Sequence, residues 1–191
     1  MIVATTDQLE RAELLLAGMP EAVGRAMSRA MNAAAAVGRD SAVKKIAATY
    51  AVKADDIRSK IEVSKATPGR LEIAVTLRSR SLSMGYFPHS PVAAGTGGRG
   101  KPPLQAEIRR GEEKDVKGAF VAQLNSGLRI MIRTGGKTAS GKAAMRSVYT
   151  VPFAGMLGAT PVRVHVETEA LEKLDAQLDR EIDRALAEVA P

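Results

Sequence analysis

Glycine and lysine recur in this 191-residue chain at spacings close to those of a phosphate-binding loop. Residues 95–102 nearly reproduce the pattern G-x-x-x-x-G-K-[ST], with Gly95, Gly100 and Lys101 in place. In that loop backbone N–H groups cradle the phosphates, the lysine reaches them, and the last hydroxyl holds Mg²⁺. Pro102 stands where the hydroxyl is required, no strand signal precedes the loop, and Pro102-Pro103 occupy the start of the helix that should follow. Gly136 to Ala143 is a second near match with alanine in the hydroxyl position, and a third at Gly136-Lys137-Thr138 fails because residue 131 is Met131. Nucleotide hydrolysis is therefore not expected. A Ser–His–acid system needs a histidine beside a serine. The two histidines, His89 and His165, fall in a Gly/Pro-rich segment and just ahead of an amphipathic helix, where they read as surface or boundary residues. Asp55-Asp56 could offer two carboxylates to a hard cation. Neighbours on a helix point different ways, however, and acids at a helix start are favoured by its dipole. There is no cysteine, hence no disulfide or thiolate metal site. The residues predict no catalytic centre, no metal and no cofactor.

What remains is charge. The net charge of +7 is uneven: residues 99–146 hold 11 Lys/Arg against 4 Asp/Glu, and residues 167–191 hold 3 against 8. Arg99, Lys101, Arg109, Arg110, Arg129, Arg133, Lys137 and Lys142 lie in or beside segments rich in glycine and proline. Such residues can contact phosphates without reading bases, which requires only charge and reach. They can equally pair with acidic surfaces on neighbouring subunits, and a solvated basic surface is the plainest alternative. Aromatic residues are 3% of the chain, so base stacking on aromatic platforms is not expected. No apolar run reaches the roughly 18 residues of a membrane span. The opening MIVATTDQLERAELLLAG carries early acids and does not read as a signal peptide.

The elements that must position these side chains follow from period and punctuation. The length suits a single domain spanning residues 1–191, able to bury about 70% of its unfolded surface. A helical region over 6–60 comes first. Residues 6–17 form a helix capped by Thr6 or Asp7 and ended by Gly18. Pro20 opens a long alanine-rich helix over 20–49. Its apolar positions Val23, Met27, Ala30, Ala34, Val37, Val43, Ile46 and Ala47 are mostly small, which suits close packing, and a bend fits at Gly38 and Asp40. A short helix follows from Lys53 to Lys60. The period then shortens to two: Leu71, Ile73, Val75 and Leu77 alternate with Glu72, Ala74, Thr76 and Arg78, and Ile61-Glu62-Val63 enters as an antiparallel partner through a Pro68-Gly69 turn. The sheet region extends over 61–152, with strands at 104–110, 118–124, 128–133 and 145–152, a turn at Asn125-Ser126-Gly127, and flexible loops at 88–103 and 134–143. A helical region over 153–189 closes the chain. Thr168 is its expected N-cap, and Leu171, Leu174, Leu178, Ile182, Leu186 and Val189 form one face. Helices, then a mainly antiparallel sheet, then a helix make an α+β fold.

Five phrases, taken in order, resemble those of the prophage minor tail protein Z family, the tail-completion proteins of long-tailed phages. They are residues 26–32 (AMSRAMN), residues 50–57 (YAVKADDI), Ala66-Thr67-Pro68, residues 117–121 (KGAFV) and residues 178–182 (LDREI). The resemblance spans roughly residues 10–188. The chain departs from the family's Gly-Pro-Ser-like turn before the last helical region, reading Tyr149-Thr150-Val151-Pro152-Phe153, and its glycine-rich segment after Phe87 is longer. The resemblance implies a structural, non-enzymatic protein of the virion tail, made in the bacterial host cytoplasm. It would complete the head-proximal end, where tail meets head and the DNA end is placed. It also implies contacts with other tail or neck proteins, a homo-oligomeric ring and non-specific contact with phage DNA. The alternative reading of the same residues is a cytoplasmic module that binds the nucleic-acid backbone.

Overall fold

A computed structural model describes residues 6–95, 100–125 and 127–188. The fold is α+β, and its elements divide between two compact units. The first unit comprises Met1–Lys45, Ile57–Arg78 and Leu157–Pro191, the second Ile46–Asp56 and Ser79–Met156.

The first unit is built on three helices, α1 (Thr6–Leu15), α2 (Pro20–Thr49, whose last residues belong to the second unit) and α5 (Thr160–Ala187). Helix α1 gives way to Gly18 at a φ of +83°, a conformation that glycine adopts without steric cost. Asp7 lies in the first turn of α1 rather than at its cap. Helix α2 buries Ala22, Val23, Ala26, Met27, Ala30, Met31, Ala34 and Ala35 in one core with Ala12 of α1, Leu16 just past its end, and Leu174, Leu178 and Ile182 of α5. Alanines let the backbones approach, and the unbranched methionines fill what the alanines leave. The helix runs through Gly38 and Asp40 without interruption, and Gly38 is itself buried. Helix α5 begins eight residues earlier than its expected cap, at Thr160, with Pro161 in the first turn, where the missing N–H costs nothing. Thr168 is consequently mid-helix, and so is His165. The buried positions of α5 are Val162, Val166, Ala170, Leu174, Leu178 and Ile182, every fourth residue, which is one continuous ridge. Leu171 flanks that ridge half-buried, Leu186 is 42% exposed because the ridge ends at Ile182, and Val189 lies outside the described residues.

Beside these helices lies a two-stranded antiparallel ladder of β1 (Ile61–Val63) and β2 (Val75–Leu77), paired Ile61 to Leu77 and Val63 to Val75. Its turn is where the sequence puts it, with Thr67 and Arg70 bridged across Pro68-Gly69. The ladder stops at Val75, and the backbone of Ala74 bonds Ser64 instead, its N–H donating to the Ser64 hydroxyl at 2.7 Å. The alternation from Leu71 to Leu77 persists in burial even where the ladder does not, with Ile73 and Leu77 inside and Glu72 and Arg78 outside.

In the second unit the strands form two antiparallel sheets among the described residues. One has the order β3 (His89–Ser90), β4 (Leu104–Arg109), β5 (Glu112–Val116). The other has the order β6 (Ala119–Leu124), β7 (Gly127–Lys137), β8 (Ala143–Ser147). Leu104 and Ala106 of the first, Ala119, Val121 and Ile130 of the second and Met84 of a 3₁₀ turn (Met84–Tyr86) make one small core. Strand β5 is absent from the sequence reading because its residues Glu112, Glu113, Lys114 and Asp115 show no apolar alternation. It is an exposed edge strand held by its ladder to β4. The expected strand over 145–152 is instead β8, and β7 runs on to Lys137, so the expected loop at 134–143 narrows to residues 138–142. His89 sits in a strand, half-buried, with Nδ1 2.8 Å from the Phe87 carbonyl oxygen. Two further helices complete the set, α3 (Ala54–Arg58) and α4 (Phe153–Gly158).

Candidate functional site

The eight basic residues singled out by the sequence separate into groups with different uses. Arg109 and Arg110 serve the fold of the second unit. The Arg110 Nε donates to the Ala47 carbonyl oxygen at 2.6 Å, and its backbone N–H to that of Thr49 at 3.1 Å. Both acceptors lie in the last turn of α2, where carbonyls have no intrahelical donor and a cation meets the negative end of the helix dipole. The Arg109 guanidinium lies 5.9 Å from the centre of the Tyr50 ring, and Tyr50 itself bridges to Arg109 along the backbone. Lys101 is exposed, yet its Nζ donates to the Gly95 carbonyl oxygen at 2.6 Å, closing its own loop. Arg99 lies outside the described residues.

The remaining four share one element. Arg129, Arg133 and Lys137 lie on β7 and Lys142 in the turn to β8, so the structure brings them together on a single hairpin. Arg146 on β8, opposite Ile132, joins them and was not singled out from sequence. Every residue from Arg133 to Ala143 is exposed, so the outer part of this hairpin is an exposed arm. The arm is nevertheless built. Gly135 at a φ of +83° absorbs the register shift between Arg133 and Lys137. At the tip the Thr138 N–H donates to the Lys142 carbonyl oxygen at 2.8 Å and the Gly141 N–H returns to Thr138 at 2.8 Å. The Arg133 guanidinium stacks 4.8 Å from the centre of the Phe120 ring, which holds it at the root of the arm. Lys137, Lys142 and Arg146 have no ion-pair partner among the described residues.

That isolation has a cause in the sequence. No Asp or Glu occurs from Val116 to Val166, so the whole β6–β7–β8 sheet is free of acid while carrying Arg129, Arg133, Lys137, Lys142 and Arg146. The acids of helix α5 are arranged differently. Asp179 pairs with Arg11 at 2.6 Å, Glu181 with Arg29 at 3.3 Å, Glu167 with Arg163 at 3.2 Å and Glu188 with Arg184 at 3.5 Å. The Gln8 amide donates to Asp175 at 2.6 Å. Four of the eight acids of the tail are thus answered by arginines of their own unit.

A second region with chemical character is a cleft of about 540 Å³ in the second unit, lined by Val52, Asp56, Tyr86, Phe87, Glu107 and Arg110 among others. The Tyr86 hydroxyl donates a short hydrogen bond to the Asp56 carboxylate. Burial first, then that hydrogen bond and the neighbouring negative charge, raise the Tyr86 hydroxyl from its ordinary 10.0 to about 12, against a smaller opposing effect from the Lys53 backbone. Tyr86 is therefore a fixed donor at neutral pH and not a base. It ties Asp56 of α3 to the 3₁₀ turn, with its ring edge-on to Phe87 and Phe153. Among the described residues no group of three or more His, Asp or Glu could hold a metal ion. The second phosphate-loop lookalike, Gly136–Ala143, is the tip of the hairpin arm rather than a strand-to-helix loop.

The family model for prophage minor tail protein Z (GPZ) matches residues 13–189, nearly the whole chain and parts of both units. The chain belongs to the prophage minor tail protein Z family. No curated protein and no solved structure matches it. The family is one of structural tail proteins, which places the chain among components of the virion tail and implies contact with other tail proteins. Among the described residues no helix is long and apolar enough to cross a membrane.

The phrases that carry the family resemblance turn out to be fold-holding contacts of this tail protein. Asn32, which ends the first phrase, donates from Nδ2 to the Ala66 carbonyl oxygen at 3.0 Å and accepts the Ala66 N–H at 3.0 Å. One side-chain amide thereby satisfies both backbone groups of a buried residue, as a neighbouring strand would. Gly24, two residues ahead of the first phrase, lies against the third, where a Cβ would meet the Pro68 carbonyl oxygen at 3.0 Å. Tyr50 meets β4, Ala119 and Val121 enter the small core, and Leu178 enters the large one.

Proposed function

We propose that this tail protein completes the head-proximal end of the tail, assisting head–tail joining or placement of the DNA end. It does so as a structural, non-catalytic subunit of a homo-oligomeric ring, bound to other tail or neck proteins, after synthesis in the bacterial host cytoplasm. The observation that carries the reading is the family match across residues 13–189. The acid-free β6–β7–β8 sheet gives weight to the alternative, a cytoplasmic module binding the nucleic-acid backbone. Removing the gene from an inducible prophage separates the two. The tail reading expects heads and tails that fail to join productively, rescue by the gene supplied in trans, and an affinity label on the protein found at the head-proximal end of intact particles. Fully infectious particles without the gene, or a label absent from virions, would overturn it.

A further inference from the structure

We infer that the β7–β8 arm is a sequence-independent contact for the phosphate backbone of duplex DNA, made by Arg133, Lys137, Lys142 and Arg146. The case begins with charge accounting by unit. The first unit holds 15 Lys/Arg and 15 Asp/Glu, and the second holds 13 Lys/Arg and 6 Asp/Glu, so the second unit carries the entire net charge of +7. A second copy of this chain offers fewer unpaired acids than its composition suggests, because four of the eight from Glu167 to Glu188 are paired with Arg11, Arg29, Arg163 and Arg184 of their own unit. Trans pairing with those acids would have to break cis pairs to make new ones.

Within the second unit the acids are also segregated. Glu107, Glu112, Glu113 and Asp115 all lie on the β3–β4–β5 sheet or its turn, and none on the sheet that bears the arm. The four cations of the arm therefore have no acid beside them on their own sheet. Their placement suits a phosphate chain rather than a single anion. Arg133 and Lys137 are four strand residues apart, about 13 Å along β7. Lys142 sits at the tip and Arg146 on the return strand. Duplex DNA carries one charge per roughly 1.7 Å of its axis, so a reach of that length meets several phosphates. The arm offers no exposed aromatic ring for stacking, and from Arg133 to Arg146 its polar side chains other than these cations are Thr134, Thr138 and Ser140. Two of these are engaged in the tip, where Thr138 Oγ1 lies 2.9 Å from Ser140 Oγ. Backbone charge is thus what it can read, and sequence is not. The choice of duplex DNA among polyanions rests on the proposed tail role; the unanswered charge does not.

The test uses the purified full chain and a random-sequence 30-base-pair duplex, with affinity measured against salt. Binding should weaken linearly in log salt, with a slope of about 0.9 for each phosphate neutralised. The variant Lys137→Ala/Lys142→Ala/Arg146→Ala should lower that slope by about 2 to 3, and Lys142→Gln alone by about 0.9. Replacing Lys44, Lys65 and Arg70 of the first unit by alanine removes the same charge and should leave the slope unchanged. AT-rich and GC-rich duplexes should bind alike. The assignment is overturned by no binding at low salt, by an arm variant with the wild-type slope, by an equal loss in the first-unit control, or by polyglutamate competing as well as DNA, which would make an acidic protein surface the partner. Binding by free protein is read independently of tail assembly. Its failure therefore leaves the location in the tail standing, and mislocation with intact binding would sink only the tail reading.

Discussion

The two units hold similar numbers of cations, 15 and 13 Lys/Arg, and use them in opposite ways. In the first unit, cations and acids balance, and the long side chains of Arg11 and Arg29 reach from α1 and α2 to Asp179 and Glu181 of α5. Those pairs sit over a core of alanine, methionine and leucine that does the stabilising, since exposed ion pairs contribute about 0–1 kcal/mol each. In the second unit the core is smaller, and Lys137, Lys142 and Arg146 lie on one arm with no ion-pair partner among the described residues. A charge that is answered at home reports on folding. A charge that is left unanswered reports on a partner. The family phrases fall mainly on contacts that hold the fold, such as Asn32 with the backbone of Ala66 and Leu178 in the core.

The comparison can be broken most forcefully in the first unit's core. Leu178 is fully buried on the ridge of α5. Leu178→Ala should cost about 2–5 kcal/mol and lower the melting temperature clearly. Asp179→Ala, which removes only the half-exposed pair with Arg11, should cost under about 1 kcal/mol. Similar small losses from both would show that α5 is not part of the core. Next in size is Asn32. Asn32→Ala strands the N–H and C=O of buried Ala66, and each unsatisfied buried group costs about 1–3 kcal/mol. Chemical denaturation should register that loss, and an unchanged midpoint would mean water replaces the amide without cost.

The smallest effect sharpens the picture of the second unit. Because the Tyr86 hydroxyl is raised from 10.0 to about 12, its contribution should be fully present below pH 10 and lost as pH rises towards 12. In that window the unfolded chain has released the proton and the folded chain still holds it, so stability must fall with pH. Wild type should therefore lose stability between pH 10 and 12 more steeply than Tyr86→Phe. Parallel pH profiles would show that the tie to Asp56 does not persist in solution.

Much of this architecture was legible where a residue acts on its own neighbourhood. Pro20 marks the start of α2, the pair Pro68-Gly69 marks the β1–β2 turn, and the alternation from Leu71 to Leu77 marks which side is buried. Features that depend on distant partners were not legible. Strand β5 is four consecutive charged residues that pair only because β4 lies beside them. The start of α5 was missed because Thr168 resembles a cap, whereas Val162 and Val166 already continue the every-fourth-residue ridge to its N-terminal side. The use of Asn32 has no local signature at all, since its partner is 34 residues away. For the candidate site, charge was visible and purpose was not. Arg110 reads like Lys137 in the sequence, and only the carbonyls at the end of α2 reveal that it is already engaged. Arg146 shares with Lys137 and Lys142 the acid-free run after Asp115, which is the signal in the sequence that marks it.

The contrast between answered and unanswered charge is tested most directly by amine-reactive labelling of lysines in the free protein and in assembled tails. Lys44 and Lys65 of the first unit and Lys137 and Lys142 of the arm are all exposed in the chain alone. All four should label readily in free protein. In assembled tails Lys137 and Lys142 should become strongly protected while Lys44 and Lys65 go on reacting. Arm lysines that react as fast in the tail as in solution would contradict the account, because the charge left unanswered within the chain would then be left unanswered in the particle as well.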